Sequence, residues 1–163
     1  MALARIVTLP QSPSNARSRQ VFARLREADA AQCTDVFVLF TSVDETLAAL
    51  RLASRLARSL HGHVRLVDFR VVPPGAPVEA PTGRSPIEMD AFLDRVRDEG
   101  IDVRANVYVC RDTRHALPHV FKDRSLIVIG ARQRRWPTRA QRLRRMLEAR
   151  GHFVLFAHET ATR

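Results

Sequence analysis

Between Ser125 and Ala157 the chain reads SLIVIGARQRRWPTRAQRLRRMLEARGHFVLFA, an order that leaves few folds open. Leu126 to Ile129 is an unbroken aliphatic run ending at Gly130. A short run without polar alternation suits a strand covered on both faces. Thr138 to Arg150 then sets Ala140, Leu143, Met146 and Leu147 at helical spacing, with Arg139, Arg142, Arg144, Arg145 and Arg150 on the outward side. Gly151 ends that helix and Phe153 to Phe156 supplies another strand. Two strands joined through a helix pair in parallel, because a crossover needs that length and a hairpin does not.

The same alternation runs from Asp35 onward. Val36 to Phe40 is a continuous apolar strand, and Ser42 with Glu45 has capping-box spacing. A stripe through Leu47, Leu50, Ala53, Leu56, Ala57 and Leu60 predicts a helix that stops at Gly62. Val64 to Val72 is the second strand, and Pro73 to Pro86, with five of the nine prolines, is a loop. Ser85-Pro86-Ile87-Glu88 opens the next helix, with Phe92, Leu93 and Val96 inward and Gly100 at its end. Val103 to Cys110 is the third strand. Asp112 or Thr113 starts a short helix to about Lys122, which Pro118 should kink or delay. Five strands separated by crossovers predict an α/β fold, a doubly wound five-stranded parallel sheet with helices on both faces. Ligands in such sheets bind beyond the C-terminal strand ends. That rule gathers Phe40 to Ser42, Phe69, Cys110 to Asp112 and Gly130 to Arg135 at one rim.

The chain has 163 residues, 45% hydrophobic and 27% charged, which suits one soluble domain. Three parts are expected: a basic N-terminal arm over 1–34 with a short helix at Val21 to Ala31, the α/β domain over 35–159, and a tail over 160–163. No apolar run approaches the roughly 20 residues that span a bilayer, and no signal-peptide pattern opens the chain. The cytoplasm is the expected compartment. Cys33 and Cys110 are far apart and read as reduced thiols.

The net charge of +10 is unevenly placed. Residues 1–34 hold five Arg against two acids, and residues 130–151 hold eight Arg against Glu148 alone. A basic cluster of this kind suits an anionic partner, a nucleotide or nucleic acid, at 132–150. Lys122 is the only Lys, so base composition explains the choice of Arg over Lys, although not the clustering. A solvated helix face is the competing reading.

The order of elements, the Leu126 to Gly130 strand and the final helix–strand unit resemble the universal stress protein family over about residues 35–159. In that family the first strand ends in an Asp, the second supplies a Val beside adenine, and G-x-x-G-x9-G-[S/T] holds the ATP phosphates. Here Thr41 stands for the Asp and Ser42 for the following Gly, while Phe69 falls at the Val. Gly130 matches the first motif glycine, Gln133 and Leu143 replace the next two, and Arg144 replaces the Ser/Thr. The resemblance implies a degenerate ATP site made of Phe40, Thr41, Ser42, Phe69, Gly130, Arg132, Arg134 and Arg135. Missing glycines remove the close backbone approach that phosphate needs, although Arg132, Arg134 and Arg135 can offer charge instead. The expectation is therefore no bound cofactor, with family-type ATP binding obstructed.

Other constellations point to no chemistry. His115 and His119 have metal-chelating spacing, but Pro118 lies between them and no thiol or carboxylate pair stands in register. His61 and His63 flank a helix end, where a cation suits the dipole. Trp136 beside Arg134 and Arg135 reads as a staple at the helix start or as a stacking platform. No base–nucleophile pair reaches the rim, so no enzyme and no metal site is expected. The segment from Gly151 to Ala157 is short, apolar and without Lys or Pro, as an edge strand that pairs with a second copy would be. Three readings follow: a non-catalytic module acting by homodimerisation and partner binding, a phosphate-binding protein using the arginines, or a nucleic-acid-binding module using the last helix.

Overall fold

A computed structural model of the chain describes residues 35–73, 75, 86–122, 124–131 and 139–158. The expected arm with its helix, the tail, Cys33, Ser85, Arg132, Gln133, Arg134, Arg135 and Trp136 lie outside the described residues. Within them the order is β1 (Val36–Leu39), α1 (Val43–Ser59), β2 (Val64–Val71), α2 (Pro86–Asp98), β3 (Val103–Cys110), α3 (Thr113–Val120), β4 (Leu126–Gly130), α4 (Arg139–Glu148) and β5 (Phe153–Ala157). The five strands are all parallel, in the order β3-β2-β1-β4-β5. This is the doubly wound α/β architecture that the alternation predicts, and no helix of it is long and apolar enough to cross a membrane.

The apolar runs are continuous because alternate residues serve two cores. Val36, Val38, Leu66, Leu126, Val128 and Leu155 pack with Leu50, Ala53 and Leu56 of α1 and Phe92, Leu93 and Val96 of α2. Leu39, Val67, Ile127, Ile129 and Val154 face the other way, onto Leu117 and Phe121 around α3 and Leu147 of α4. Strand period 2 thus puts every β1 and β4 side chain against one helical layer or the other. Arg51 donates to both oxygens of Glu99, at 3.2 and 3.0 Å, and ties α1 to the end of α2.

Two ends depart from the sequence reading. Leu60 is the C-cap of α1, and it is His61, at φ 51°, that takes the left-handed turn expected of Gly62. The Gly62 N–H donates to Ala57 O at 2.8 Å and the His61 N–H to Arg58 O at 3.4 Å, the two bonds of a Schellman turn. In α3, Pro118 neither delays the start nor prevents the helix. Asp112 caps it by accepting from the Arg114 N–H at 2.8 Å, and the helix ends at Val120, two residues past the proline.

Candidate functional site

The direction of strand addition reverses between β1 and β4, and the crevice beyond their C-terminal ends is where such sheets hold ligands. Leu39 pairs with Ile129 there, so Phe40 to Ser42 and Gly130 leave the sheet side by side. The first turn of α1 sits in the crevice. The Thr41 N–H donates to Thr46 Oγ1 at 3.0 Å, and the Thr41 hydroxyl donates to Gly130 O at 3.4 Å. A methyl group on Gly130 would stand 1.8 Å from the carbonyl oxygen of Glu45. The glycine at the end of β4 is thus required by a helix packed on its α-carbon, a different cause from approach to phosphate.

Electrostatics at this helix start also oppose a phosphate. Asp44 and Glu45 lie in the first turn, where the dipole already favours negative charge. The expected capping box does not form as such. Ser42 makes no side-chain cap bond, and its hydroxyl donates to Glu45 Oε2 at 2.8 Å instead. The hydroxyls of Thr41 and Ser42 are therefore engaged in internal bonds.

Of the eight residues named from sequence, the five that lie within the described residues do not all converge. Thr41, Ser42 and Gly130 meet, as described. Phe40 turns to the α1/α2 side, its ring 5.3 Å from that of Phe92. Phe69 turns to the opposite side, 5.9 Å from Tyr108 and 6.4 Å from Phe121. The sheet separates the two aromatics. Moreover β2 and β3 run on past β1, pairing as far as Val71 with Cys110, so Phe69 lies beyond the level where β1 ends. Arg132, Arg134 and Arg135 lie outside the described residues.

A second concavity, not foreseen from sequence, opens between α3 and α4. Asp112, Thr113, Arg114, Arg142, Leu143, Met146 and Arg150 line a groove of about 610 Å³. Arg142, Met146 and Arg150 follow one another at i, i+4 and i+8, a spacing legible in the sequence; that Arg114 lies across from them is set by the topology alone. The outward arginines of α4 are not equivalent. Arg142, Arg145 and Arg150 are exposed. Arg144, expected outward, lies half-buried, bonded to Glu148 Oε1 at 2.8 Å and 5.2 Å above the Phe156 ring. Desolvation at the end of β3 raises the pKa of the Cys110 thiol above its ordinary value; a hydrogen bond with Thr113 lowers it and the Asp112 charge raises it further. His115 and His119 are both exposed, and His115 Nδ1 lies 3.1 Å from Asp112 Oδ2. Among the described residues no group of three His, Cys, Asp or Glu could hold a metal ion.

Comparison with known proteins finds no matching family model, no matching curated protein and no matching solved structure.

Proposed function

We propose that this chain is a universal-stress-protein-like, non-catalytic module that acts by self-association and partner binding, without family-type ATP binding. The observation that carries the reading is the seat of α1 on Gly130. The crevice where the fold would place a nucleotide holds a helix turn, the engaged hydroxyls of Thr41 and Ser42, and the Glu45 carboxylate. The contact surface is the edge of β5. That strand pairs with β4 on one side and has no strand neighbour on the other among the described residues. Phe153–Ala157 carries no charge and no proline, whereas the opposite edge, β3, exposes Arg104. An unblocked apolar edge is the one that adds a strand, and antiparallel pairing of two β5 strands closes as a two-fold dimer.

Two measurements test the reading. Light scattering should give a dimer for the wild type and a monomer for Phe156→Pro, which removes an N–H donor from the free edge of β5, since Phe153 and Leu155 direct theirs at β4. Calorimetric titration with Mg-ATP should show no one-to-one binding in the low-micromolar range. A wild-type monomer at high micromolar concentration would end the assembly half of the proposal, and tight ATP binding the other half.

A further inference from the structure

The groove between α3 and α4 has the make-up of a binding site and lies away from the β5 edge. Its volume of about 610 Å³ falls in the usual range for small-molecule sites. Leu143 and Met146, partly buried against the core that contains Leu117 and Leu147, form an apolar floor. Among the described residues that line it, three guanidinium groups stand around that floor against a single carboxylate, Asp112. That carboxylate is turned to local work, accepting from the Arg114 N–H and lying beside His115. Arg150 is anchored by donating to Met146 O at 3.1 Å. Arg114 and Arg142, by contrast, form no ion pair among the described residues. They come from different helices and flank the floor from two sides.

We infer that this groove binds a small amphipathic anion, a phosphate or carboxylate on an apolar body. Arg114 and Arg142 would grip the anionic group, and Leu143 and Met146 would cover the apolar part. Guanidinium forks suit phosphate and carboxylate oxygens alike, so the charge recognises both sources. The apolar floor is what separates such a ligand from a bare anion. It also favours the amphiphile over a nucleic acid, because among the described residues that line the groove there is no aromatic ring on which a base could stack.

Titration of the full chain with octyl phosphate, octanoate, octylammonium, inorganic phosphate and a short DNA duplex tests the assignment, with ligands kept below micelle formation. Octyl phosphate or octanoate should bind one-to-one, and which of them binds tighter identifies the headgroup. Octylammonium should not bind, and inorganic phosphate should bind at least roughly tenfold more weakly than octyl phosphate, since the chain burial is lost. Arg142→Glu and Arg114→Glu should each weaken octyl phosphate by roughly tenfold or more, the cost of one charged hydrogen-bonding partner. Arg58→Glu, on the last turn of α1, should leave binding unchanged. Equal affinity for octylammonium, no gain of octyl phosphate over phosphate, or indifference to both groove substitutions would overturn the inference. So would duplex binding abolished by Arg142→Glu in a protein that ignores octyl phosphate.

Discussion

At the end of β4 there is room for a hydrogen atom and nothing larger. The α-carbon of Gly130 faces the backbone of Glu45, and backbone in the first turn of a helix cannot step aside as a flexible side chain can. Gly130→Ala should therefore destabilise the ligand-free protein by about 3 kcal/mol, the upper part of the usual range for overpacking. Thermal unfolding measured without nucleotide decides between two explanations of the same residue. A glycine kept for packing gives a large fall in Tm in the apo protein. A glycine kept for phosphate approach leaves the apo Tm unchanged and alters only a titration. The sequence alone cannot separate these, since both put a glycine after an apolar strand. The contact with Glu45, 85 positions earlier in the chain, exists only once α1 is seated on the sheet.

Among the elements, α1 shows how much of a helix its sequence announces. The stripe from Leu47 to Leu60 gives its existence and buried face, and Leu47, Leu50, Ala53 and Leu56 are indeed almost fully buried. The stop is read one residue late, because glycine's freedom makes Gly62 the natural left-handed residue while the hydrogen-bond pattern gives that role to His61. His61 is exposed and takes φ 51°, where a Cβ is crowded by its own backbone. His61→Gly should then stabilise the protein by about 1 kcal/mol, offset in part by the added freedom of the unfolded chain. Denaturant midpoints would register the gain, and a loss of stability would show that the interaction His61 makes outweighs the relief of strain. The site was less legible than the elements for a related reason. Strand and helix periodicity are local, and they place Phe40 and Phe69 at the rim. Which side of the sheet each ring takes follows from register, and register put them on opposite faces. Arg142, Met146 and Arg150 could be seen as a stripe, yet the groove needs Arg114 from another helix, which no local pattern supplies.

At the scale of the whole molecule, the sheet order decides what a dimer would bring together. β5 is an outer strand, and α4 packs on β4 and β5 from one face. Antiparallel pairing of two β5 edges about an axis normal to the sheet keeps both copies of α4 on the same face, one on each side of the seam. Each α4 exposes Arg142 and Arg145, and Arg150 follows just past its end. Arg139, Arg142, Arg144 and Arg145 outnumber Glu148 on each α4, so like net charge gathers on that face of the dimer, while the strand pairing itself is neutral. Added salt screens that repulsion, with a Debye length of about 10 Å at 0.1 M and about 3 Å at 1 M. The proposed dimer should accordingly tighten as sodium chloride rises from tens to hundreds of millimolar. A complex with nucleic acid behaves in the opposite sense, because counterion release makes it weaken steeply with salt. Sedimentation equilibrium of the nucleic-acid-free protein across that range gives the sign directly. Arg142→Gln with Arg145→Gln should flatten the dependence without abolishing the dimer, since neither side chain belongs to β5. A dimer that falls apart as salt is added would show that attraction between opposite charges, such as Arg144 of one copy and Glu148 of the other, outweighs this net repulsion at the seam.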